Sequence, residues 1–314
     1  MLQRIFLSHV STRIALALGL TGLLGGVSLA QPVTMQALLK ATSAKDWRPL
    51  DPSRTLVMQL PQGRVVIELA PAFAPQHVAN IETLARAHYF DGLSINRVQD
   101  NFVVQWGDPH AQQPKQARAL PDHLSRRLPP EYSRPTRGLA FTALLDPDTY
   151  AARTGFSMGF PVARNATASR TWLVHCYGMV GVGRDNPPDT GNGSELYVVI
   201  GQAPRQLDRN ITLVGRVVEG MSWLAALPRG HGPMGFYRHA AQRVPILRLR
   251  LAATLAPAHR PHLQVLRTDT SAFRHLIAIR RHRSDTWYVR PANRINVCNV
   301  PLPVREKTPQ LIHP

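Results

Sequence analysis

Apolar and polar residues alternate with period two over 55–60 (TLVMQL) and 64–69 (RVVIEL), with Pro61-Gln62-Gly63 between them. That pattern predicts a β-hairpin with one face on a core. The period then changes. Pro75 suits the first turn of a helix, and Val78, Ile81, Leu84, Ala85 and His88 recur at helical spacing, so 75–88 should be an amphipathic helix lying on a sheet. Segments 93–98, 102–106, 172–182, 196–200, 212–217 and 244–251 read as further strands. A second helix is expected at 219–227, ended by Pro228 and Gly230. Short strands, two helices and glycine-rich turns point to a mainly β barrel or sandwich with helical caps.

Between and around these elements the pattern weakens. Residues 31–53 carry a short helical motif (Met35, Leu38, Leu39) and then Pro49 and Pro52, as a lead-in would. From 109 to 170 prolines at 121, 129, 130, 135, 147 and 161 break the chain into short pieces. An insertion of that length inside a domain is either functional or structured in its own right. Residues 255–314 read as a basic C-terminal extension, with a helical pattern over 271–283 and a proline-rich tail starting at Cys298. At the other end, Arg4 and Arg13 precede an apolar, glycine-softened run over 14–27, and Ser28-Leu29-Ala30 offers a small-residue cleavage site. This predicts a secretory signal peptide over 1–30, export with Gln31 as first mature residue, and a bacterial periplasm as the destination. A retained anchor is the alternative, though the run is short for a bilayer span.

Composition adds two points. With 44% hydrophobic and 18% charged residues among 314, the chain is globular and not disordered. Its formal charge of +18 is either a solvated basic surface or a means of meeting an anionic partner such as a membrane face, lipopolysaccharide or nucleic acid. The two cysteines, Cys176 and Cys298, would in an oxidising compartment form a disulfide; two buried thiols are the other reading. No Cys or His spacing resembles a zinc site, so neither metal nor cofactor is expected.

The chemistry concentrates in 64–109. A lone Arg97 stands close in sequence to Phe102 and Gln105, after Tyr89-Phe90 and an Asp91-Gly92 turn. An arginine beside an aromatic pocket, with an amide neighbour, suits an X-Pro peptide bond better than phosphate or metal chemistry. Amide resonance sets a barrier of ~18–20 kcal/mol to rotation about that bond. Twisting localises the lone pair on the prolyl nitrogen, so a guanidinium donor placed there stabilises the twisted form more than either planar one. The glycine-rich stretch 181–193 lacks both the GxGxxG spacing and the lysine of a phosphate cradle, and reads as a loop.

These residues resemble the cyclophilin-type peptidyl-prolyl isomerases. The resemblance rests on Gly63-Arg64 leading into VVIEL, Ala74-Pro75 opening the helix, Tyr89-Phe90-Asp91-Gly92, and an Arg-Val-x-x-x-Phe-Val-x-Gln-x-Gly-Asp-Pro signature from Arg97 to Pro109. It continues through Gly178-Met179-Val180, Thr190-Gly191-Asn192-Gly193-Ser194, Leu207-Asp208, 212–217 and Glu219-Gly220-Met221. It implies an isomerase domain over 54–254, built as an eight-stranded antiparallel barrel capped by two helices and interrupted by the 109–170 insertion. By position, Arg97 would be catalytic with Phe102 and Gln105. Val103, Tyr197, Leu207 and Ile211 would line the proline pocket, with Gly183 and Arg184 on the rim that holds the peptide backbone. The implied partners are proline-containing segments of unfolded or folding exported proteins.

The chain departs from the family at several positions. Asn96 replaces a common histidine, Glu195-Leu196 replaces Gln-Phe, Ile211 replaces a pocket histidine, and Gln206 stands where cyclosporin-sensitive members have tryptophan. Weak cyclosporin binding is therefore expected, alongside retained activity. The competing reading is a non-catalytic chaperone or binding module on the same scaffold, working through the insertion and the basic extension.

Overall fold

The predicted hairpin and helix form where the periodicity places them. The structure, a computed structural model, describes residues 34–285 and 287–307, so the expected signal peptide lies outside the described residues. Helix α1 (Met35–Lys40) opens at Thr34, whose hydroxyl accepts the Ala37 amide at 3.1 Å, and is followed by strand β1 (Trp47–Pro49). Strands β2 (Thr55–Leu60) and β3 (Gly63–Leu69) pair antiparallel, Leu56 opposite Ile67 and Met58 opposite Val65. Helix α2 (Pro75–Arg86) buries Val78, Ile81, Leu84 and Ala85, as its spacing requires. It stops before His88, which takes a left-handed φ of 58°. Strands β4 (Ser94–Val98) and β5 (Val103–Gly107) follow as a second hairpin.

The insertion has a sheet of its own. Strands β6 (Arg134–Pro135), β7 (Thr142–Leu144), β8 (Arg153–Ser157), β9 (Phe160–Arg164) and β10 (Arg170–Leu173) assemble in the order β6-β10-β9-β8-β7. The chain then returns through β11 (Met179–Val182), β12 (Leu196–Val199), β13 (Leu213–Glu219), helix α3 (Met221–Ala225), β14 (Val244–Pro245) and β15 (Arg248–Leu251). Strand β16 (Leu263–Leu266), helix α4 (Ser271–Arg281) and β17 (Val304–Glu306) complete it.

The main sheet has nine strands in the order β14-β4-β5-β12-β11-β13-β3-β2-β15, all pairs antiparallel. It curls around one large core in which Leu56, Met58, Ile67, Ile95, Trp106, Val180, Val198 and Val214 are fully buried, with Ile81 and Leu84 of α2 against them. The expected eight-stranded barrel with two helices is thus corrected to a curled nine-stranded sheet and, among the described residues, four α-helices. The reason lies in segment 244–251, expected as one strand. It pairs first with β4 and then with β2, and Ile246 and Leu247 between donate to Leu93 (2.8 Å) and Gln59 (2.9 Å). The apolar run 172–182 is likewise two strands, because Gly178 at φ +81° turns the chain between them.

A second core joins the insertion with the two ends of the described chain. Trp47, Phe73, Phe156, Phe160, Trp172, Leu266, Phe273, Leu276 and Val297 meet in it. Strands β1, β16 and β17 form a three-stranded sheet beside it, so residues 47–49 pair with 264–266. Polar links hold the insertion in place as well. Glu131 accepts from the Gln76 amide (3.1 Å), the His77 amide (3.0 Å) and His77 Nδ1 (2.6 Å) at the start of α2. Burial would raise the Glu131 carboxyl, but these bonds outweigh it and hold the group below its ordinary value. Cys176 and Cys298 are disulfide-bonded with Cα atoms 5.0 Å apart, across 122 residues of chain. In the chain-entropy view such a link contributes ~3–5 kcal/mol by restricting the unfolded state.

Candidate functional site

Arg97 sits on β4 directly opposite Gln105 on β5, just past an irregularity in register at Asn96. Its Nη1 donates to Gln105 Oε1 at 2.8 Å, its Nε to the Met234 carbonyl at 2.7 Å, and its Nη2 to Gln99 Oε1. The guanidinium lies 5.6 Å from the Phe102 ring centroid and 5.5 Å from that of Phe236. A guanidinium has more donors than these three bonds use. Burial lowers its proton affinity from the ordinary value, with nearby Glu195 partly opposing that. It nonetheless stays charged at neutral pH. The result is a fixed, aromatic-flanked cation at the wall of a cavity of about 670 Å³.

The same cavity is lined by Gln105, Arg184, Leu207 and Ile211, so the fold brings five of the sequence-derived residues, Arg97 included, to one place. Phe102, Val103, Tyr197, Val199 and Ile211 form a small apolar cluster next to it. Leu207 is delivered by a single 3₁₀ turn, Arg205–Leu207. On the rim, the Gly183 amide donates to the Glu195 carbonyl at 2.9 Å. The Arg184 guanidinium is tied to the carbonyls of Asn210, Asp185 and Asn186 at 2.6–3.1 Å. Both therefore brace the loop they stand in.

Tyr197 contributes differently from a simple pocket wall. Only 4% exposed, its ring is near-parallel to that of His175, planes 7° apart and centroids 6.4 Å apart, the two meeting edge to edge. Asp208 accepts from His175 Nδ1 at 2.9 Å, which leaves Nε2 to accept from the Tyr197 hydroxyl, also at 2.9 Å. Burial pushes that hydroxyl well above its ordinary value, so it remains a donor. Asp208 is held in turn by Arg205, which also pairs with Asp148 of the insertion (2.7 and 2.8 Å). Sequence reasoning missed this chain because it spans 148 to 208 with no local signature.

Four further residues were missed at or next to the cavity. Gln99, Met234 and Phe236 surround Arg97, and Met234 sits at φ +53° on a turn with no local signature that would place it there. Glu195 is the fourth. Burial raises its carboxyl above the ordinary value, with a hydrogen bond from Gln105 and the charge of Arg97 acting the other way. Because its proton is held more tightly in the folded chain, ionised Glu195 weighs against folding at neutral pH; that penalty fades as pH falls through the raised folded value and is gone below the unfolded value near ~4. Glu195→Gln should accordingly raise the melting temperature at neutral pH and leave it unchanged below about pH 4. Thermal melts of both proteins at the two pH values check this; an equal shift at both would rule the charge out as its cause.

Residues 55–250 match the model of the cyclophilin type peptidyl-prolyl cis-trans isomerase family. The chain belongs to that family. A probable peptidyl-prolyl cis-trans isomerase of Brucella suis is 27% identical over 180 residues, covering 57% of this chain and 74% of that protein. A putative peptidyl-prolyl cis-trans isomerase of Staphylococcus aureus is 39% identical over 56 residues, 18% of this chain and 28% of that one. Among solved structures, a cyclophilin from Hirschia baltica superposes with a TM-score of 0.67 at 24% identity, over 87% of this chain and 97% of its own. At that identity the likeness establishes the fold alone, and it includes regions outside 55–250.

Proposed function

We propose that this chain is a peptidyl-prolyl cis-trans isomerase that accelerates rotation about X-Pro bonds, with Arg97 as its electrostatic catalyst. The observation that carries the reading is the fixed Arg97 guanidinium, held by Gln105 and flanked by Phe102, at a cavity wall beside an apolar cluster. The proline ring packs against Phe102, Val103 and Ile211, which restrains one side of the rotating bond. An unused Arg97 donor then meets the prolyl nitrogen as its lone pair localises in the twisted form. Gln105 keeps the guanidinium aimed while this happens, and no nucleophile or general base takes part. The substrates are proline-containing segments of exported proteins, and the chain works in the periplasm after removal of residues 1–30.

The reading places the substrate at one site, which can be located directly. Titration of the labelled protein with a short Ala-Pro peptide should shift the amide resonances of Phe102, Gln105 and Ile211 first. Shifts confined to the insertion sheet would instead support the non-catalytic binding module. At the rim Gln206 is exposed beside Leu207, where it offers cyclosporin no broad aromatic surface. Calorimetric titration should therefore find only weak cyclosporin binding; tight binding would show that other rim residues replace the tryptophan.

A further inference from the structure

The C-terminal extension carries a projecting segment, described over 282–285 and 287–294, that the isomerase site does not use. Both of its ends are gripped by Asp146 of the insertion, which accepts from Arg281 Nε and Nη2 (3.0 and 2.6 Å) and from the Ile295 amide (3.1 Å). Burial would raise the Asp146 carboxyl, but these bonds outweigh it and hold the group below its ordinary range. The base of the segment is therefore fixed. At its tip Trp287 is 79% exposed and Val289 91% exposed. A turn in which Asp285 accepts the Trp287 and Tyr288 amides shapes that tip, and the Trp287 and Tyr288 rings meet edge-on at 4.9 Å.

Around this apolar tip the charge is mostly positive, three arginines against one aspartate. Arg283 stacks over Tyr288 at 5.0 Å, and Arg290 and Arg294 are exposed and, among the described residues, in no salt bridge. Asp285 is the one acidic residue of the segment and is engaged by the turn. Water is a poor environment for Trp287 and Val289, and no element of the described chain covers them. Tryptophan and tyrosine favour the headgroup level of a bilayer, and arginines nearby are drawn to anionic lipid. We propose that segment 282–294 docks into the headgroup region of an anionic phospholipid bilayer, Trp287 and Val289 entering the interface and the arginines meeting lipid phosphates. A single-stranded nucleic acid would also use Trp287 and the arginines, by stacking and charge. It has no use for the almost fully exposed Val289, which is why the bilayer is the better fit.

The test uses the chain from Gln31 onward, which keeps both hydrophobic cores and the whole Val33–Pro314 unit and removes the apolar run 14–27 as a source of lipid binding. It is sedimented with vesicles of phosphatidylglycerol and phosphatidylcholine in equal parts, and with phosphatidylcholine alone. Binding is expected to the anionic vesicles only, to weaken with salt, and to shift tryptophan emission to the blue. Trp287→Ser should abolish the emission shift. Val289→Ser should weaken binding several-fold, and Arg290→Glu with Arg294→Glu should weaken it by at least about tenfold. Unchanged circular dichroism keeps these variants interpretable. No binding by wild type would overturn the proposal, and so would binding equal in all variants, which would trace to net charge instead. Tighter binding to single-stranded DNA than to vesicles, indifferent to Val289→Ser, would assign the surface to nucleic acid.

Discussion

Arg97→Ala should lower kcat/KM for X-Pro isomerisation by about 100- to 1,000-fold, the loss seen when one preorganised donor to a transition-state charge is removed. The loss should fall on kcat, with KM nearly unchanged, because in the proposed mechanism the contact to the prolyl nitrogen strengthens only as the bond twists. Arg97→Lys is a sharper probe. An ammonium keeps the charge but lacks the planar fork that here holds Gln105, Gln99 and the Met234 carbonyl at once. It should recover only a small part of the lost rate. Protease-free kinetics on a short Xaa-Pro peptide read both variants. A variant that lost affinity and kept kcat would make Arg97 a binding residue and not the catalyst.

The largest effect on stability is expected at Arg205. Its side chain is 5% exposed between Asp148 and Asp208, themselves 3% and 7% exposed, and its guanidinium lies 5.1 Å from the Tyr150 ring centroid. Replacing a buried ion pair by apolar groups can be neutral, but removing one partner leaves an uncompensated charge at a cost of about 3–5 kcal/mol. Arg205→Ala leaves two. A fall in melting temperature of roughly ten degrees or more is expected at neutral pH. The sign of the pH dependence follows from the acids. Asp148 is raised by burial but held below its ordinary value by Arg205, so wild type keeps this stability above about pH 4 and loses it as pH falls further. In the variant Asp148 loses the partner that holds it down, and mild acid should narrow the gap to wild type. A gap that stayed constant with pH would point to lost packing on Tyr150 instead. Because Asp208 also orients His175 and Tyr197, the same variant should disturb the apolar cluster beneath the cavity.

Which parts of this protein are legible in its sequence depends on how local the physics is. The 55–69 hairpin and α2 follow from their own periodicity, since each buries one face on the same core. The Arg97–Gln105 pair could be read as well, because a short hairpin sets both side chains opposite each other. The insertion sheet could not. Its strands run from two to five residues, too short for a period to show, and Pro135 and Pro161 lie inside β6 and β9. Pairing of 47–49 with 264–266 joins the two ends of the described chain, and each strand alone is three or four residues long. The Met234–Phe236 turn comes to Arg97 from 137 residues away, held by a backbone carbonyl that every sequence possesses.

The most direct test of the account is cis–trans exchange of a short Ala-Pro peptide, followed by NMR with catalytic amounts of the protein. Uncatalysed exchange takes tens to hundreds of seconds. The account predicts exchange orders of magnitude faster with wild type, saturable by peptide and abolished by Arg97→Ala. Exchange at the uncatalysed rate, with folded protein and peptide bound at Phe102 and Gln105, would contradict it and leave the cavity as a site that binds proline segments without turning them.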